Sequence, residues 1–144
     1  MVEILSAKAE DRESIQRIYE SLVGSHASQD ETIWDRLIQA GCLLVAQTEV
    51  QIIGFGGIDL NATEQVKWLY LLPQYQGTGI GSQILKQLES IGWKSGCESL
   101  RLHSAPQAVE FYRRQGYKEV EATEQLGHDH EGVEMVKERE APSP

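Results

Sequence analysis

Apolar residues recur along this chain with two different periods, and the switches between them mark out the elements. The residues from Val2 to Ala7 partly alternate, which predicts a short strand. From Glu10 to Val23 the apolar residues Ile15, Ile18, Tyr19 and Leu22 share one face at helical spacing. Ser28-Gln-Asp-Glu31 has the spacing of a capping box and predicts the start of a second helix, carrying Ile33, Trp34, Leu37 and Ile38 and stopped by Gly41. Three strands follow over 42–47, 52–60 and 66–72, joined by polar turns at Thr48-Glu49 and Asn61-Ala-Thr-Glu64 as an antiparallel meander. A long helix from Gly79 to Ser95 carries Ile80, Ile84, Leu85, Leu88 and Ile91, and Gly96 ends it. A strand over Ser99–Ser104 leads to a helix that starts at Pro106 and stops at Gly116, and strands over 117–126 and 132–138 complete the chain. The order is βααβββαβαββ. The strands on either side of the long helix should run parallel through a right-handed crossover. The expected class is α/β (α+β), with a mixed sheet flanked by helices.

Composition narrows the setting. With 144 residues, 40 % hydrophobic and 24 % charged, the chain suits one domain over 1–140, followed by a frayed tail over 141–144. The formal charge of −9 argues against a nucleic-acid binder or a protein docked on anionic lipid, since both need a basic face. The first residues become charged at once, so no signal-peptide core is expected, and runs such as Cys42–Ala46 are too short to cross a bilayer. Cys42 and Cys97 match neither a disulfide framework nor a zinc pattern, and read as reduced thiols of a cytoplasmic protein.

The chemistry concentrates in Leu69-Tyr-Leu-Leu-Pro-Gln-Tyr-Gln-Gly-Thr-Gly-Ile-Gly81, directly before the long helix. Gly77, Gly79 and Gly81 let backbone amides line a concavity at the positive end of the helix dipole, which makes a phosphate or pyrophosphate site. Such a site needs few basic side chains and so fits an acidic protein. A P-loop would end in Gly-Lys-Ser/Thr, but Gly81 is followed by Ser82 and Gln83. A dinucleotide fingerprint needs a glycine or alanine where Ser82 stands, and Glu98 falls at the start of the next strand rather than its end. The remaining pattern is Gln/Arg-x-x-Gly-x-Gly/Ala, met as Gln76-Gly-Thr-Gly79-Ile-Gly81.

That signature resembles the acetyl-coenzyme A loop of the GCN5-related N-acetyltransferase (GNAT) superfamily. Leu69-Tyr-Leu-Leu-Pro73 is similar to the strand that precedes the loop in that family, and Ala108-Val-Glu-Phe-Tyr-Arg-Arg-Gln-Gly-Tyr117 is similar to its second motif. The element order also matches, so the resemblance spans nearly the whole chain. It implies a mixed, mostly antiparallel sheet of about seven strands with about four helices, acetyl-CoA as cosubstrate, and no metal. One departure is Ala105, where the family often has an asparagine whose cofactor contact is then lost or supplied elsewhere, for instance by Ser104.

The implied reaction is direct attack of a primary amine on the acetyl thioester in a ternary complex. It needs a neutral amine, an oxyanion donor and a proton for the departing thiolate. The resemblance assigns pyrophosphate binding to Gln76, Gly77, Thr78, Gly79, Ile80, Gly81 and Ser82, and backbone contacts for the carbonyl and pantetheine arm to Leu69 and Leu71. It assigns the proton donor to Tyr112, with Phe111 as the competing packing residue. Asp59, Glu64 and Glu124 are candidate general bases, Glu64 foremost, beside a water relay; His103 reads as a strand histidine. The acceptor site is expected between the 24–30 turn and the 126–132 loop, where His128-Asp-His130 also fits a metal pair or a polar loop tip. Eight acidic residues against three basic ones between Lys118 and Glu140 fit a solvated strand pair or an acceptor side that favours a small cationic or peptide amine. A homodimer is compatible with all of this. The alternative function is a catalytically weak acetyl-CoA-binding sensor or interaction module of the same fold.

Overall fold

The computed structural model describes residues 1–24, 32–120 and 132–140. The expectations placed on Ser28–Glu31, Glu124, the His128-Asp-His130 loop and the 141–144 tail lie outside the described residues. Strand β1 (Glu3–Ser6) leads through a short 3-10 turn into helices α1 (Arg12–Val23) and α2 (Thr32–Ala40). The meander follows as β2 (Leu43–Gln47), β3 (Ile52–Ile58) and β4 (Val66–Leu71). Then come α3 (Ile80–Lys94), β5 (Ser99–Ser104), α4 (Val109–Arg114), β6 (Lys118–Glu119) and β7 (Val133–Glu138). The seven strands form one sheet in the order β1-β2-β3-β4-β5-β7-β6.

Of the strand expected over 117–126, β6 covers Lys118–Glu119 and residues 121–126 lie outside the described residues; two further boundaries differ from the sequence reading for local reasons. β3 stops at Ile58 rather than running to 60 because Asp59 turns the chain, its carboxylate accepting a hydrogen bond from the Asn61 N–H at 3.1 Å. The segment after Pro106 makes a 3-10 turn over Pro106–Ala108 before α4 becomes helical at Val109.

Helices cover both faces of the sheet. On one face Trp34 of α2 is fully buried and meets Phe55 and Trp68 edge-on, at 5.5 and 4.9 Å between ring centres. On the other, α3 packs its Ile84 and Leu88 so tightly over Gly56 that a Cβ there would stand 2.5 Å from Ile84 Cγ2. These layers hold the core and leave one seam open.

That seam lies between β4 and β5. The two strands run parallel, as the crossover requires, but meet only at Val66↔Leu102. β4 pairs with β3 on its far side from Gly54↔Leu71 to Ile58↔Val66, with a register shift between Gly57 and Ile58, and β5 pairs with β7 from Ser99↔Glu138 to Ser104↔Val133. The sheet is therefore held together at the start of β4 and splits toward its end.

Candidate active site

The site is built where β4 ends and α3 begins. The Leu72 N–H donates to Ile53 O on the β3 side at 2.9 Å, so strand alternation turns the N–H and C=O groups of Leu69 and Leu71 toward the split. Consistently, Leu71 O accepts its hydrogen bond from the Gln76 amide side chain (3.1 Å) rather than from β3. Gln76 thus closes the turn onto the strand end. Its side chain supports the loop from below.

Gly77 (φ +78°) and Gly79 (φ +88°) sit in the left-handed region, and a Cβ at either would meet nothing within 4 Å. The backbone there faces open space in a conformation that other residues reach only with strain. Gly79 caps α3 without any side-chain hydrogen bond, leaving first-turn amides at Ile80, Gly81 and Ser82 available to an anion. Thr78 donates its hydroxyl to Tyr75 O, and Ile80 sends its side chain into the core, so both contribute to the loop mainly through backbone.

Across the split, α4 presents Phe111 and Tyr112. Phe111 lies over Gly81, where a Cβ would come 3.6 Å from its Cζ. Tyr112 meets Phe111 and Tyr117 edge-on, at 5.1 and 5.9 Å between ring centres. Burial, with a smaller contribution from Tyr70, pushes the Tyr112 phenol up to about 12. It stays protonated across the physiological range and can donate a hydrogen bond. Sequence reasoning did not single out Tyr70, although it lies inside the quoted strand motif; its ring packs on Tyr19 and Phe55, at 5.7 and 5.5 Å.

The acidic candidates separate. Asp59 is gripped by Arg36, whose Nη2 stands 2.9 Å from Oδ2, and this pairing holds the carboxyl below its ordinary range. A carboxylate so engaged is a poor base. Glu64 is buried in the β3–β4 turn, just before the single β4–β5 pair. Ser104 does not replace the missing asparagine: it is buried, and its hydroxyl already donates to Ala105 O at 2.8 Å. His103 is exposed on β5. Among the described residues no group of three or more His, Cys, Asp and Glu side chains could hold a metal, and no helix is long and apolar enough to cross a membrane.

The acetyltransferase (GNAT) domain model matches residues 7–139. Solved structures share the fold at low identity. The PaiA N-acetyltransferase from Thermoplasma acidophilum, in complex with coenzyme A, is 22 % identical with a TM-score of 0.71, over 96 % of this chain and 99 % of that one. The putative acetyltransferase YncA from Salmonella typhimurium, with its cofactor acetyl-CoA, is 18 % identical with a TM-score of 0.74, over 100 % and 98 %. An acetyltransferase of the GNAT family from Staphylococcus aureus Mu50 is 14 % identical with a TM-score of 0.78, over 96 % and 99 %.

Proposed function

This chain belongs to the acetyltransferase (GNAT) domain family, and on that premise we propose that it is an acetyl-CoA-dependent N-acetyltransferase acting on a primary amine. The observation that carries the reading is the split between β4 and β5, which opens directly beside the uncapped glycine turn of α3. The residues present fit the cosubstrate. The turn at Gly77 and Gly79 offers backbone amides to a pyrophosphate with no Cβ in the way. The edge of β4 offers the N–H groups of Leu69 and Leu71 and the C=O of Leu69 to an amide-bearing arm, in the manner of strand addition, the Leu71 C=O being held by Gln76.

Acetyl-CoA supplies the thioester and the thiol leaving group. The chain supplies the rest. Leu69 and Leu71 direct N–H groups to where the acyl oxygen gains charge. Tyr112 holds its proton and donates a hydrogen bond from Oη to the departing sulfur. With Asp59 committed to Arg36, Glu64 is the carboxylate assigned to the acceptor's proton, and because it stands before the closed start of β4 the proton reaches it along a relay of waters. The amine attacks directly, with no acylated side chain.

The acceptor is a small cationic amine or a peptide amine, a choice supported by the net charge of −9. A cytoplasmic setting is supported by free Cys42 and Cys97 and by burial, which pushes the Cys42 thiol up and keeps it unreactive. The second reading, an acetyl-CoA-binding module of low activity, draws on Ala105 and the engaged Ser104 hydroxyl, which leave one cofactor contact without a side chain.

Thermal-shift titration tests the cofactor. At a coenzyme A concentration of 100 times Kd the folded state gains about 2.7 kcal/mol. Coenzyme A and acetyl-CoA should raise Tm, and NAD or ATP should not. Stabilisation by either nucleotide and not by coenzyme A would overturn the assignment.

A further inference from the structure

Beneath the turn that follows α4 lies a buried polar cluster that none of the reaction steps above uses. Lys137 of β7 reaches under this turn, its Nζ donating to Gln115 O at 2.9 Å and to Glu89 Oε1 at 3.0 Å. The same Nζ stands 5.8 Å from the centre of the Tyr117 ring. The pair is largely out of water, with side-chain exposures of 20 % for Lys137 and 7 % for Glu89. Gly116 (φ +100°) bends the chain closely over it, so that a Cβ there would stand 3.2 Å from Lys137 Cε. Burial, and then the Glu89 carboxylate with which it hydrogen-bonds, pushes the Tyr117 phenol up, so Tyr117 belongs to the same cluster.

Each partner of Lys137 leads to one half of the active site. Glu89 belongs to α3, whose first turn is the proposed pyrophosphate cradle. Gln115 and Tyr117 bracket the end of α4, which carries Tyr112. The Tyr117 N–H donates to Tyr112 O at 3.0 Å, and the two rings meet edge-on at 5.9 Å. α4 spans only Val109–Arg114, too short to hold its own geometry by helical hydrogen bonding alone. Its end is closed by backbone bonds from Gly116 N–H to Arg113 O and from Tyr117 N–H to Tyr112 O, and Lys137 holds that closed turn through Gln115 O.

We propose that Lys137 is a positioning residue for Tyr112: it ties the end of α4 to Glu89 of α3, and so fixes where the phenol stands relative to the cofactor-binding turn. The proposal rests on the reading of Tyr112 as hydrogen-bond donor to the departing sulfur. A cation serves here because it satisfies a carbonyl and a carboxylate at once from a single point, which no neutral side chain of that reach does. The charge is matched by Glu89, so the cluster stays neutral overall and tolerates burial.

The test is a double-mutant cycle on kcat between Lys137→Met and Tyr112→Phe, with KM for acetyl-CoA followed in parallel. Lys137→Met should lower kcat about tenfold with KM changed less than about twofold, and in the Tyr112→Phe background it should cost less than about twofold. Equal fractional losses in both backgrounds would show a general structural role and overturn the proposal. A Tyr112→Phe protein with undiminished kcat would instead remove the reading of Tyr112 itself. If Lys137→Met does not fold, Glu89→Gln enters the same cycle, because it keeps the shape of the side chain. Its loss of about threefold should likewise vanish in the Tyr112→Phe background, and an equal loss in both backgrounds would overturn the proposal.

Discussion

The ring of Phe111 covers Gly81 at the first turn of α3, near enough that a Cβ would stand 3.6 Å from Cζ, while the adjacent Tyr112 ring meets Tyr117 at 5.9 Å between ring centres. Phe111 takes the packing between α4 and α3. Tyr112 is turned toward Tyr117 and Tyr70, with its hydroxyl free of a structural bond, among the described residues, that a phenylalanine would break. Tyr112→Phe should therefore leave Tm within a few degrees of the parent. It should lower kcat about tenfold or more, with little change in acetyl-CoA affinity. Unchanged turnover would remove the proposed acid.

The pH dependence follows from the same residue. A proton donor works while protonated, and the Tyr112 phenol is pushed up to about 12, so its ionisation takes effect only near that pH. The acceptor must be neutral to attack, and a lysine-like amine has a pKa of about 10.4. kcat/KM should thus rise with pH toward the acceptor's pKa without a falling limb below about pH 11. A descending limb between about pH 8 and 10, abolished in Tyr112→Phe, would show a phenol far more acidic than this environment gives.

Gly79 combines a positive φ of +88° with open space around its missing Cβ. A valine's Cβ there meets nothing within 4 Å, but the positive φ strains the turn and the branched side chain projects into the space proposed for the pyrophosphate. Gly79→Val should fold, with cofactor affinity lowered at least about a hundredfold, measured by calorimetric titration with coenzyme A. Wild-type affinity would show that the turn is not the binding element.

Gly56 has the opposite surroundings. A Cβ would come within 2.5 Å of Ile84 Cγ2 and 3.0 Å of Leu88 Cδ1, deep between β3 and α3. Gly56→Ala should destabilise the fold by about 1–3 kcal/mol, read by chemical denaturation. A neutral effect would mean that α3 sits farther from the sheet.

Asp59 provides an acid-side test. Its carboxyl is held below the ordinary 3.8 mainly by the hydrogen bond from Arg36, so the unfolded chain binds the proton more tightly than the folded one. Stability from this pair is fully present above pH 3.8 and is lost as pH falls through the lower folded value. Asp59→Asn should be less stable at neutral pH and show a shallower loss of stability on acidification. Turnover should persist, because Arg36 already occupies this carboxylate. Loss of activity without loss of stability would return Asp59 to the candidates for the base.

Much of this architecture is legible in the sequence because it is written in local periodicity. The unbroken apolar runs of β2 and β3, and Ile80, Ile84, Leu85 and Leu88 on one face of α3, leave little freedom once both faces of a sheet must be covered. The glycine turn is legible for the same reason, since glycine at alternate positions before a helix has a direct conformational meaning. Long-range pairing is another matter. Arg36 reaches Asp59 across 23 positions and Lys137 reaches Glu89 across 48, and no spacing rule links either pair. Ser104 is a reasonable substitute for the absent asparagine by position alone, and only the structure shows its hydroxyl donating to the next carbonyl. Charge counting over Lys118–Glu140 does not reveal that Lys137 faces inward, to the active-site helices.

The central claim is that this chain moves an acetyl group from acetyl-CoA to an amine by means of the split between β4 and β5. The most direct test is release of free thiol from acetyl-CoA across a panel of polyamines, aminoglycosides and peptides bearing free amines, with the acetylated product confirmed by mass. The account predicts amine-dependent thiol release that follows product formation one for one, strongest with a cationic acceptor. Tight binding of acetyl-CoA with no thiol released in the presence of any amine would contradict it, and would leave a binding module in place of an enzyme.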